Sequence, residues 1–133
     1  MREMNMPLSP RDLIPTFTAM NAVDGALVHY QSLWQRKNLV LVTVPSDDPT
    51  APSYMASIIA SKPSLVSHDT ALIVTTSDIA AVASPGVLVA DRWGEIYYIK
   101  GASRAADLPG PDELVEWVRY IQNECPECQG ETR

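Results

Sequence analysis

Only two residues in this 133-residue chain carry a thiol, Cys125 and Cys128, and they form the motif Cys125-Pro126-Glu127-Cys128 near its C-terminus. Two sulfurs at this spacing support three readings. The pair can cycle between dithiol and disulfide, helped by the tight turn that Pro126 leaves, either alone or with an external reductase. It can form half of a tetrahedral zinc site, which needs two further ligands. Or it can be inert. His29 and His68 are the only histidines and lie far away in sequence, so the zinc reading calls for the second tail of a homodimer. The redox reading ranks first and the metal reading second. Free cysteines are usually small buried hydrophobes, which fits poorly with a tail carrying Glu124, Glu127 and Glu131. Those charges, and the negative end of a preceding helix, raise a thiol pKa and make the thiolate scarcer.

The second group of interest is Val44-Pro45-Ser46-Asp47-Asp48-Pro49-Thr50-Ala51-Pro52-Ser53, which follows the apolar run 39–44 and holds carboxylates and hydroxyls but no thiol. Open α/β sheets bind ligands at this end of a strand. Asp47 and Asp48 could hold a cation, although a solvated loop is the commoner role for such a pair. His29 and His68 have no acidic partner at a catalytic spacing. No glycine-rich phosphate loop, repeat or linker is present. Trp34, Trp93 and Trp117 read as packing residues.

Composition narrows the classes. The length suits one domain. Apolar residues at 46% and charged residues at 20% are ordinary for a globular protein. A net charge of -6, with three lysines and seven arginines scattered, argues against nucleic-acid binding. Residues 107–133 hold seven carboxylates against two arginines, which reads as a solvated acidic end. No stretch approaches the ~18 apolar residues of a membrane span, and residues 1–7 lack the apolar core of a signal peptide. The expectation is a cytoplasmic protein, in which a cysteine pair more often does chemistry than acts as a staple.

The elements that must position these groups follow from periodicity. Residues 17–20 and 27–30 read as a hairpin around Asp24-Gly25, and 32–36 as a helical turn with Leu33 and Trp34 inward. The β-branched run 38–45 predicts a strand buried on both faces. Residues 52–61 predict a helix with Met55, Ile58 and Ile59 on one face, ended by Pro63. Residues 70–76 predict a second buried strand, and 77–83 a brief helical turn. Residues 86–91 and 95–100 form a hairpin around Arg92-Trp93-Gly94. Residues 111–124 predict a helix opened by Pro111, with Leu114, Val115, Trp117, Val118 and Ile121 as its apolar stripe.

This order, with particular residues, resembles the thioredoxin-like superfamily and within it the peroxiredoxins, the alkyl hydroperoxide reductase and thiol-specific antioxidant group. Arg11-Asp12-Leu13-Ile14-Pro15-Thr16-Phe17-Thr18 is similar to that family's opening "G-D-x-A-P-x-F-x". Gln35-Arg36-Lys37-Asn38-Leu39-Val40-Leu41-Val42 is similar to its "G-K-x-V-V-L-x-F". Ser84-Pro85-Gly86-Val87-Leu88-Val89-Ala90-Asp91 with Gly94-Glu95-Ile96 resembles the segment of the cis-proline and following hairpin. The resemblance spans residues 9–124. It implies an α/β, thioredoxin-like three-layer sandwich: a central mixed sheet flanked by helices, with an N-terminal β-hairpin. Residues 1–8 are then an N-terminal tail, 9–124 the domain and 125–133 a C-terminal tail.

The departures from the family are specific. Its "P-x-x-x-T-x-x-C" is matched by Thr50 and Ser53 in the last part, with serine where the thiol stands and Pro45 one residue out of register. Its activating arginine before the late hairpin is missing from Ala81-Val82-Ala83-Ser84-Pro85. A peroxidase needs a thiolate nucleophile, and an unactivated serine without a neighbouring base is no substitute. Peroxidase chemistry at this site is therefore predicted absent. Thr50 and Ser53 are expected to cap the following helix, and Pro85 to take a cis bond facing residues 46–53. In thioredoxins the C-x-x-C pair opens a helix; here it follows one. Two functions remain open: a thiol-disulfide oxidoreductase acting through Cys125 and Cys128, or a non-catalytic binding or scaffold protein on a degenerate fold, with the pair as a zinc half-site in a homodimer. A homodimer, a thiol reductase or another protein are the expected partners.

Overall fold

The computed structural model describes residues 8–123. A short hairpin, β1 (Thr18–Met20) and β2 (Leu27–His29), leads through a 3-10 turn at Tyr30–Ser32 into β3 (Asn38–Thr43). Helices α1 (Ala51–Ile59) and α2 (Lys62–Val66) then cross over to β4 (Thr70–Thr75). The hairpin of β5 (Gly86–Ala90) and β6 (Ile96–Gly101), a 3-10 turn at Ala105–Asp107 and helix α3 (Pro111–Gln122) complete the order.

The main sheet has the order β4-β3-β5-β6, with β3 parallel to β4 and antiparallel to β5, and β5 antiparallel to β6. All six residues of β3 are buried, as its unbroken apolar run predicts for a central strand. The period-2 alternation divides its side chains between two cores. Val40 and Val42 face Ala51, Tyr54 and Ile58 of α1, Leu65 of α2, and Leu114, Val118 and Ile121 of α3. Leu39 and Leu41 face a second core with Phe17, Ala19, Tyr30 and Ile79. The layers are therefore helices, sheet, and a covering of hairpin and turns. This is the mixed-sheet α/β sandwich that the resemblance implies.

The Asp24-Gly25 turn is present, with Gly25 at φ +77 and Asp24 Oδ1 accepting from the Ala26 amide at 3.0 Å. The same turn covers the sheet's outer edge. Buried Asn21 donates to the Leu72 carbonyl at 3.0 Å and accepts from the Val74 amide at 3.0 Å, both on edge strand β4. A free strand edge is a template for unwanted pairing, and this side chain occupies part of it.

Four local expectations are corrected. Pro63 does not end α1 but sits in the first turn of α2, where its missing N–H costs no helical hydrogen bond. The innermost residues of α1 are Ala51, Tyr54 and Ile58, with Met55 and Ile59 flanking them. Leu33 points inward but Trp34 is 46% exposed, because successive residues of a helical turn differ by about 100° in direction. Residues 77–83 form turns rather than helix; Ala81 has φ +70, and Pro85 disfavours a helical conformation at Ser84.

Candidate functional site

Residues 44–50 connect the C-terminal end of β3 to α1, as the sequence places them. The strand end is fixed on both sides. Val44 donates its amide to the Thr75 carbonyl at 3.0 Å, and Thr43 donates its hydroxyl to the Ala83 carbonyl at 2.5 Å. Thr43 pairs with Gly86, so Val44 follows alongside Pro85. Pro85 is buried and the Ser84-Pro85 peptide is cis. A side chain at Gly86 would place Cβ 2.2 Å from the Ala83 carbonyl oxygen, so the close approach of these backbones requires glycine.

Asp48 organises the loop. Its Oδ1 accepts from the Thr50 amide at 2.8 Å and the Thr50 hydroxyl at 2.7 Å, while its Oδ2 accepts from the Ala105 amide at 2.7 Å. The Thr50 hydroxyl also accepts from the Ala106 amide at 3.1 Å. The Thr50 hydroxyl bond, then the Ala105 and Thr50 amides, hold the Asp48 carboxyl below its ordinary pKa, with a smaller contribution from Arg104. Thr50 therefore does not cap α1 through its side chain as expected; it is held by Asp48 and the 3-10 turn at Ala105–Asp107. The sequence alone did not identify this turn as the loop's partner, because the contact joins residues 57 positions apart.

Ser53 is exposed in the first turn of α1. With Thr50, Tyr54, Ser57 and Ala106 it lines an open cleft of about 510 Å³. Beneath the cleft, Tyr54 donates to the Pro109 carbonyl at 2.7 Å, and burial, followed by Tyr98 and Glu113, pushes its phenol pKa up. The cleft offers hydroxyls and apolar surface but no histidine, lysine or thiol among its lining residues. Nothing there can activate a serine.

Neither histidine joins this site. His29 contacts the Thr18 hydroxyl at 3.0 Å through Nδ1, and His68 Nδ1 lies 2.8 Å from the Ser64 carbonyl. Asp47 is exposed, whereas Asp48 is used by the loop itself. Among the described residues no three His, Cys, Asp or Glu side chains come together as a metal site. Cys125 and Cys128 lie outside the described residues. Their point of departure is fixed, however. Asn38, the first residue of β3, donates to Gln122 Oε1 at 2.8 Å, so α3 ends at the opposite end of β3 from residues 44–53. Among the described residues, no helix is long and apolar enough to cross a membrane.

No protein-family model matches the sequence, and no curated protein matches it either. Solved structures do. A reduced 2-Cys peroxiredoxin from Plasmodium vivax is similar with a TM-score of 0.69 at 13% identity, over 87% of this chain and 83% of that one. AhpC from Mycobacterium tuberculosis is similar with a TM-score of 0.68 at 14% identity, over 92% and 98%. The thioredoxin domain of a thiol-disulfide oxidoreductase from Bacteroides vulgatus gives 0.61 at 12% identity, over 87% and 99%. Sheet order, crossover helices and these likenesses agree: the chain has a thioredoxin-like fold.

Proposed function

We propose that this protein is a thiol-disulfide redox protein whose working groups are Cys125 and Cys128, and that the thiol-free loop 44–53 is a structural joint. The observation that carries this reading is the Asn38–Gln122 hydrogen bond at 2.8 Å. It fixes the end of α3, and so the start of the tail, near the first residue of β3. The five residue steps of β3 span about 17 Å. Cys125, three residues past Gln122, reaches at most about 11 Å from it. Cys125 therefore falls short of the far end of β3, and the thiol within its reach by sequence is Cys128 of the same motif. Thr50, Ser53 and Pro85 are assigned to the architecture of the former site.

The reaction is an exchange of two electrons. One thiolate attacks a partner disulfide and forms a mixed disulfide; the second then displaces the partner as a dithiol. The partner gains two electrons and two protons, and the protein is left with a Cys125–Cys128 disulfide. A thioredoxin-type reductase would return it to the dithiol.

The test is equilibration of the full chain in glutathione buffers, with free thiols counted by alkylation and mass spectrometry. A single two-electron transition that disappears in Cys125→Ser, together with reduction by a thioredoxin system, is the expected result. Thiols that stay free under mild oxidant would overturn it. About one zinc per two chains in freshly isolated, reduced protein would replace it with the half-site reading.

A further inference from the structure

We propose that the cavity between β6 and α3 binds a compact organic cation of the quaternary ammonium class, through the rings of Tyr97, Trp117 and Tyr120 and the carboxylates of Glu113 and Glu116. This site is separate from the cleft at Ser53.

The cavity holds about 480 Å³, within the range of about 300–1,000 Å³ typical of small-molecule pockets. Its aromatic walls stand at steep angles. Trp117 and Tyr120 have ring centroids 5.9 Å apart with planes at 85°, and Tyr97 and Tyr120 lie 6.0 Å apart at 65°. Trp117 is held from its other side by Tyr98, stacked at 5.2 Å. Adjoining rings at such angles can offer several π faces to one cation, the arrangement used to recognise quaternary ammonium groups.

A break in the sheet assembles these rings. Consecutive strand residues normally point to opposite faces. In the β5–β6 ladder, Val89 pairs with Tyr98 and Ala90 with Ile96, so Tyr97 is an extra residue at a bulge. Bulges re-aim side chains, and here both tyrosines contact rings of α3.

Charge selects the ligand. Glu113 and Glu116 line the cavity from successive positions on one face of α3. One cation, Arg11, also lines the cavity, but it is ion-paired with Glu95 at 2.7 Å, and Arg119 lies 2.9 Å from Glu116. Among the described residues no cation pairs with Glu113, which shares a hydrogen bond with Tyr98. The pocket therefore combines exposed aromatic surface with one carboxylate, Glu113, that no cation among the described residues pairs with. A neutral ligand would use only the first and an inorganic cation only the second.

The probe is choline, compared by calorimetry with 3,3-dimethyl-1-butanol, its neutral counterpart of similar shape, on the full chain. Choline is expected to bind at least about tenfold more tightly than the alcohol, with affinity falling as salt rises. Tyr120→Leu, at a half-exposed position whose folding is checked by circular dichroism, should weaken choline by about 2- to 30-fold. Glu113→Gln should weaken it in the same direction, while Ser53→Ala, in the separate cleft, leaves it unchanged. Equal binding of the alcohol, no binding at tens of millimolar choline, or indifference to Tyr120→Leu would overturn the proposal. So would sedimentation showing a dimer that Tyr120→Leu dissociates, since the cavity would then be an interface between copies.

Discussion

Asn38 donates through Nδ2 to Gln122 Oε1 at 2.8 Å, joining the first residue of β3 to the last residue of α3. This bond sets the end of α3 and loop 44–53 at opposite ends of the central strand. A chain carrying both Ser53→Cys and Cys128→Ser is therefore expected to form no intrachain disulfide under diamide, as read by non-reducing peptide mapping. An intrachain link in monomeric protein would show that the tail folds back over the sheet, and would remove the basis for an independent pair.

The same geometry bears on peroxide chemistry. Ser53→Cys alone should give no peroxide turnover above background in a thioredoxin-coupled assay. No arginine lines the cleft around Ser53, and Arg104, which acts on Asp48, is paired with Asp107 at 3.2 Å. A thiol is activated by neighbouring positive charge, which that pairing withholds. Sustained turnover by this variant would show that the site needs only the sulfur restored.

Asp48 predicts an acid limb of the stability curve. Its folded pKa lies below its unfolded value of about 3.9. The stabilisation is therefore present above pH about 4 and is lost as pH falls through the lower, folded pKa. Asp48→Asn should lower the melting temperature at neutral pH and flatten the decline below pH about 4. Asp47→Asn, at an exposed neighbour, should change neither. Parallel melting curves for wild type and Asp48→Asn across that window would contradict the assigned role.

Tyr30 predicts an alkaline counterpart. The phenol is buried, its hydroxyl has no hydrogen-bond partner among the described residues, and desolvation followed by the charge of Asp91 raises its pKa to about 12. The neutral phenol is favoured in the fold, so its contribution is complete below pH about 10 and is lost as pH rises through about 12. Tyr30→Phe removes an unsatisfied hydroxyl and should be neutral or stabilising at pH 7. It should also reduce the loss of stability above pH 10. A loss of more than about 1 kcal/mol at pH 7 would mean that the hydroxyl has a partner.

Asn21 predicts a purely structural loss. Truncation by Asn21→Ala leaves the Leu72 carbonyl and the Val74 amide on β4 without their side-chain partner. Orphaned buried groups cost about 1–3 kcal/mol each, less if water reaches them. Denaturant titration should show destabilisation of that order with the redox behaviour of Cys125 and Cys128 intact. A stability unchanged within error would mean that the turn does not cover this edge.

By itself the sequence determined the β3 core strand, the Asp24-Gly25 hairpin, the β5–β6 hairpin, helix α3 and the thiol-free loop. Each rests on short-range facts: β-branched runs, a turn dipeptide, a helical apolar stripe, and the count of cysteines. Tertiary structure decided what depends on residues distant in sequence. Local pattern gives Thr50 to helix capping, and only the arrival of Ala105 beside Asp48 redirects its hydroxyl. Pro63 reads equally as a stop or a start, because a proline ends one helix and suits the first turn of the next. Trp34 reads as inward until Leu33 takes the single inward direction of a short turn. The bulge at Tyr97 has no local signature, and the aromatic cavity exists only because β6 and α3 pack together. Hydrophobic periodicity fixes which face of an element is buried, but it does not specify which partner element that face meets.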